Sequence, residues 1–218
     1  MAKRLWIFVS CCLFLPLSTV LAEDSAISVP KIENAAAEWK NFDAPFWDNA
    51  CKLANFKIPC SYGKPDSPRE ATEINIAHDG KNLYIRFTAF DEKVSAATAK
   101  PLCNYKEFRP LGDMGKMLLT GSWRKIIFEF DCNGNKYDSK DLDKDWNSYW
   151  KLRARKTDKS WQAVMMIPFE SIDFNPADPK AKLKGFFGRE YSHGAKEPEE
   201  SSFNGGVLTQ NFYEMAIE

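Results

Sequence analysis

Hydrophobic and polar positions alternate with a period of two along much of the chain. Ile74 and Ile76 are spaced by polar partners, and after His78-Asp79-Gly80-Lys81 the alternation resumes as Leu83, Ile85, Phe87 and Ala89, with Tyr84, Arg86 and Thr88 on the opposite face. A period of two places alternate side chains on one side of an extended strand. Asp-Gly between two such runs predicts a tight hairpin, because glycine accepts the positive φ of the turn. Lys125 to Asp131 reads as a third strand carrying Ile126, Phe128 and Phe130, and it ends in the turn Cys132-Asn133-Gly134-Asn135. Trp150, Leu152 and Ala154 mark a fourth, and Trp161, Ala163, Met165 and Ile167 a fifth after the turn 156–160. Pro168 stops the fifth strand, Phe169 to Ile172 reads as one helical turn, and Gly185 to Tyr191 and Gln210 to Ile217 supply the last strands. Short strands with regular turn signals and no long helix predict an all-β fold. The expected architecture is an antiparallel β-sandwich, immunoglobulin-like or jelly-roll-like, with a few short helical turns. No composition break or internal repeat divides it.

The first 22 residues break this pattern. Lys3 and Arg4 precede an apolar run from Leu5 to Leu17, and Val20 and Ala22 stand at the −3 and −1 positions of a cleavage site. The run is short for a membrane span, so residues 1–22 are expected to be a cleaved secretory signal, leaving 23–218 as a single exported domain, secreted or periplasmic. No second stretch approaches membrane length. Export changes the meaning of the cysteines. Cys51, Cys60, Cys103 and Cys132 remain, an even number that an oxidising compartment would convert into two disulfides. Three pairings are open, and loop length favours Cys51–Cys60 with Cys103–Cys132. A four-thiolate zinc site would need C-x2-C pairs, which are missing.

Composition narrows the chemistry. The 218 residues carry 30 Lys+Arg against 30 Asp+Glu, so no basic excess exists to drive nucleic-acid binding. The short basic clusters Arg153-Arg155-Lys156 and Lys180-Lys182-Lys184 read as solvated faces. The 2 histidines, His78 and His193, form no H-E-x-x-H pair, and G-x-S-x-G and phosphate-cradling glycine loops do not occur. A catalytic carboxylate pair is the one enzymatic arrangement left open. Asp131, Asn133 and Asn135, followed by Asp138, Asp141, Asp143 and Asp145, invite a structural calcium reading, since calcium takes six to eight hard oxygens. The loop is not an EF-hand, because Leu142 stands where the bidentate Glu belongs. The other reading is an Asn-Gly turn beside a solvated acidic loop.

Five segments, in order, resemble carbohydrate-binding module family 9 and its wider DOMON-like relatives. Asp43-Ala44-Pro45-Phe46-Trp47-Asp48-Asn49-Ala50 is similar to the opening D-x-P-x-W-x-x-A, and Ala71-Thr72-Glu73 through Asp79-Gly80-Lys81-Asn82-Leu83-Tyr84-Ile85-Arg86-Phe87 to the T-E…D-x-x-N-L-Y-I-x-F hairpin. Phe130 to Asn135 resembles F-D-P-N-G-N, Trp161 to Ile172 resembles W-x-x-E-x-x-I-P-F-x-x-L, and Glu200 to Phe203 with Gly205-Gly206 resembles S-S-W…G-G. The resemblance runs from about residue 30 to the C-terminus.

It implies a non-catalytic sugar-binding sandwich, often joined to polysaccharide-degrading enzymes, with a partner glycoside hydrolase and structural calcium. Such a site clamps the apolar face of a sugar on aromatic rings and satisfies its hydroxyls with a few polar groups. Phe203 takes the late tryptophan position, Trp123 in its Gly-Ser loop is the candidate facing ring, and Arg86 and Arg189 are the matching basic positions. Trp47 and Trp161 read as core. The family's Glu positions in the third and fifth strands are Ile127 and Val164 here, a change on what read as neighbouring strands. Two other classes remain open: a DOMON-like haem or redox module using Met114, Met117 or His193, and a protein-interaction sandwich.

Overall fold

A computed structural model describes residues 26–59, 66–92, 112–141, 143, 145–191, 199–208 and 211–218. The expected signal segment, Cys60, Cys103, Leu142 and His193 lie outside the described residues. Two β-sheets face one another. The five-stranded sheet runs β2 (Cys51–Leu53), β4 (Thr72–His78), β5 (Asn82–Phe90), β10 (Ser160–Pro168) and β9 (Lys151–Lys156). The eight-stranded sheet runs β1 (Ile27–Val29), β13 (Tyr213–Ile217), β11 (Leu183–Tyr191), β6 (Met114–Thr120), β7 (Ile126–Asp131) and β8 (Lys136–Lys140). In that sheet β12 (Glu199–Phe203) also pairs with β11, and β3 (Phe56–Lys57) with β12. Pairing is antiparallel except for β1 beside β13, which is parallel. Four-residue helix α1 (Ala35–Glu38) and the 3-10 turns Pro45–Asn49 and Phe169–Ile172 are the helical elements among the described residues.

The period-two pattern explains the core. Ile74, Ile76, Leu83, Ile85, Phe87, Ala163 and Met165 point inward from the smaller sheet, and Met117, Leu119, Phe128, Phe130, Leu183 and Phe187 from the larger. Burying each large side chain contributes roughly 1.5–3 kcal/mol. At the centre Phe87 meets Phe130 edge-on at 5.1 Å and Trp161 at 5.1 Å between centroids. The hairpin turns at Gly80, whose φ is +90°. Asp79 closes it by accepting the Lys81 and Asn82 amides at 2.8 and 2.7 Å.

The second face of the smaller sheet is covered as well. Trp39, Phe42, Phe46 and Trp47, from α1 and the turn after it, pack against Tyr84 and Val164. Trp47 and Trp161 are both fully buried. The cover holds down Arg86, which donates to Asn75 Oδ1 and to the Phe42 carbonyl and stacks 5.4 Å from the Trp47 ring. Val164 lies under this cover, on the outer face of the smaller sheet. Ile127, on β7, faces out from the larger sheet, since its neighbours Ile126 and Phe128 face the core. These two positions therefore sit on opposite outer faces of the sandwich, not on neighbouring strands. Sequence order suggested adjacency because it does not reveal which strands cross between sheets.

Candidate functional site

Trp123 lies in the turn between β6 and β7. The turn is fixed by the Thr120 hydroxyl donating to the Ser122 carbonyl and by the Arg124 amide donating to Ser122 Oγ at 3.3 Å. It projects the indole outward, 78% exposed. A tryptophan left this open loses the hydrophobic gain that would otherwise hold it in a core. The Arg124 guanidinium stacks 4.8 Å from the ring centroid, orienting the ring and leaving its other face open. Trp123 borders a cavity of about 610 Å³ whose lining also includes Thr120, Lys125, Lys180, Lys182, Lys184 and Phe212. Register explains the meeting, since Lys184 pairs with Thr120 across β11 and β6.

A second cavity of about 370 Å³ opens at the same end of the sandwich, where β9 begins and β10 ends. Trp146 and Tyr149 line it, with Tyr149 84% exposed. The hydroxyls of Ser148 and Ser171, also in its lining, are buried without a hydrogen-bond partner. Gly121 ties the two regions together: a Cβ there would stand 2.6 Å from the Ile172 carbonyl and from Phe174 Cβ, so the Trp123 turn rests directly on the segment following β10. Sequence reading missed Tyr149, and it took Lys180, Lys182 and Lys184 for a solvated face rather than the lining of a cavity. The signal for the lysines was their period-two spacing around Ala181 and Leu183.

The other candidate residues stand elsewhere. Phe203 on β12 is half-buried, with its ring 5.0 Å from Tyr213 and 6.4 Å from Phe56. Arg86 is held under the N-terminal cover. Arg189 lines a cavity of about 460 Å³ over Phe186 and Gly188, but its side chain is 1% exposed and its N–H groups are engaged. It donates to both oxygens of Asp113 at 2.8 Å and to the Ala71 and Phe90 carbonyls at 3.1 and 2.9 Å. The four positions do not converge on one cavity. A shared site would need Phe203 and both arginines to have free polar or aromatic faces at the Trp123 end.

Asp131, Asn133 and Asn135 do come together, as a hydrogen-bonded turn. Asp131 Oδ1 accepts the amides of Asn133 and Asn135 at 2.8 and 3.0 Å, and Oδ2 accepts Asn135 Nδ2 at 2.7 Å. Three of the roughly four lone-pair sites of the Asp131 carboxylate are thus taken by N–H donors, which leaves about one for a calcium ion that takes six to eight hard oxygens. No cluster of three His, Cys, Asp or Glu side chains able to hold a metal occurs among the described residues. Met114 and Met117 are both buried and, three residues apart on β6, face opposite sides of the sheet, so they do not present a common pair to haem. Cys51 and Cys132 are not bonded to each other, and burial raises the pKa of both thiols. Their expected partners fall outside the described residues. No helix among the described residues is long and apolar enough to cross a membrane.

No family model and no curated protein matches the chain. Solved structures do. A family 9 carbohydrate-binding module of Caldicellulosiruptor kristjanssonii, in complex with cellotriose, superposes with a TM-score of 0.58 at 12% identity, covering 88% of this chain and 93% of that one. A module of the same family and organism bound to glucose gives 0.54 at 13% identity, over 80% and 87% of the two chains. A Bacteroides uniformis protein provisionally named as carbohydrate-binding gives 0.55 at 13% identity, over 89% and 100%. The chain thus has the β-sandwich fold of the family 9 carbohydrate-binding modules.

Proposed function

We propose that this is an exported, non-catalytic carbohydrate-binding protein whose ligand packs on Trp123. The observation that carries the reading is the exposed indole beside a cavity, on a sandwich that otherwise buries its tryptophans at positions 39, 47, 150 and 161. A sugar ring offers a C–H face to an aromatic plane and a rim of hydroxyls to polar side chains. Trp123 supplies the plane, and Thr120 and the neighbouring lysines supply the polar rim. The bound cellotriose and glucose of the structural neighbours favour the same ligand class. Secretion or passage to the periplasm, and association with a glycoside hydrolase, belong to this reading as expectations from the sequence. The test is a panel of soluble and insoluble polysaccharides offered to the protein and to Trp123→Ala. Binding of one glycan class by the first and its loss in the second is the expected result. A folded protein silent across the panel would refute the proposal.

A further inference from the structure

We infer that the Trp123 cavity selects an acidic saccharide, a polysaccharide whose sugars carry carboxylate or sulfate groups. This rests on the reading that Trp123 is the saccharide platform and goes beyond it to the ligand's charge. The chain as a whole is electrically neutral, with 30 basic and 30 acidic residues. Its charge is nevertheless unevenly placed here. Lys125, Lys180, Lys182 and Lys184 line the cavity, and among the described residues no acidic side chain does. Arg124 lies against the indole that borders it.

Glu214, on β13, pairs with Lys182 at 2.9 Å and stands opposite Lys184 in the β11–β13 register. Asp141 and Asp178 each accept a backbone amide through Oδ1, from Lys125 and Lys180 respectively, at 2.9 Å. Lys180 and Lys184 have no ion partner among the described residues. Lys182 and Lys184 are two apart on an extended segment and so emerge on one side, about 7 Å from each other. Like charges gathered around one concavity repel, and their combined field concentrates anions there. A neutral sugar would leave that repulsion uncompensated. A sugar stacked on the free face of Trp123 with its acid group over the lysines would offset it.

The patch also distinguishes a saccharide from a nucleic acid. Among the described residues its lining carries one strongly exposed indole rather than a row of exposed rings on which successive bases would stack.

The experiment measures binding of polygalacturonate, its carboxyl-reduced neutral form, dextran sulfate and dextran to the protein, to Trp123→Ala and to Lys180→Gln/Lys182→Gln/Lys184→Gln. All these positions are exposed, so the variants are expected to fold. An acidic polymer should bind at least about tenfold more tightly than its neutral counterpart. That affinity should fall about tenfold between about 50 and 200 mM salt, as expected when several cations engage a polyanion. The triple variant should lose the preference, and Trp123→Ala should lose affinity. Polygalacturonate against dextran sulfate tells carboxylate from sulfate, and either supports the inference. Equal, salt-independent binding of the neutral polymers, lost in Trp123→Ala, would overturn the inference while leaving the saccharide platform standing. Binding of no polymer would overturn both. Oligothymidylate competing as well as the acidic polymers would show a site that reads charge alone, and would overturn the inference.

Discussion

Arg189 and Asp113 form a side-on ion pair in the interior, with both N–H···O distances 2.8 Å and the two side chains 1% and 2% exposed. Asp113 Oδ2 also accepts the Trp161 indole N–H at 2.7 Å, and Arg189 reaches the carbonyls of Ala71, just before β4, and Phe90, at the end of β5. The pair thus pins one sheet to the other beside the aromatic centre. Breaking a buried pair by removing one partner strands the other charge. Arg189→Met should therefore cost about 3–5 kcal/mol, read as a lower urea midpoint. Restoration of most of that loss by adding Asp113→Leu would support the account. A midpoint unmoved by Arg189→Met would contradict it.

His78 gives the fold a pH dependence. Its Nδ1 accepts the Gly80 amide at 3.0 Å, and burial lowers its pKa below the usual histidine value despite the opposing pull of Glu218 and Asp79. The unfolded chain takes up a proton near pH 6.5, where the folded imidazole resists it. Stability should accordingly fall as pH drops from about 7 through 6.5, until the folded imidazole itself protonates. Urea midpoints at a series of pH values should show this slope, and His78→Gln should flatten it. An identical slope in the variant would assign the effect to other groups.

The Asp131 turn closes on its own N–H donors. Chelator should leave the melting temperature unchanged, and added calcium should not raise it. A ligand that bound only the folded state at a hundred times its dissociation constant would stabilise by about 2.7 kcal/mol, a shift calorimetry would register.

Tyr149, with the unpartnered hydroxyls of Ser148 and Ser171, lies at the same end as Trp123. If a long chain engages both cavities, Tyr149→Ala should weaken binding of long oligosaccharides several-fold and leave the shortest binders unaffected. Equal losses for every length would place Tyr149 in the primary site instead.

Legibility in the sequence followed burial. The Asp79-Gly80 hairpin, β7, β9, β10 and the Phe169–Ile172 turn were readable because each alternates cleanly or carries a stop signal. Strand β6 was not, because Met117-Leu118-Leu119 is a continuous apolar run: Met117 and Leu119 face the core, while Leu118 on the other side is also buried. The short β1, β2, β3 and β12 carry too few residues for a period to show. Trp123 was legible as an aromatic in a Gly-Ser loop. The lysines beside it were not legible as its neighbours, since only the β11–β6 register brings Lys184 beside Thr120. Arg86 and Arg189 matched family positions, but burial commits both to internal partners.

The most direct test compares the affinity of the protein and of Trp123→Ala for glycans of the proposed ligand class, alongside their urea midpoints. Because Trp123 is 78% exposed, the variant should unfold within about 0.5 kcal/mol of the parent. Its affinity should fall at least about tenfold, the loss of one stacked aromatic, about 1.4 kcal/mol or more. Undiminished affinity in an equally stable variant would place the binding site elsewhere on the sandwich.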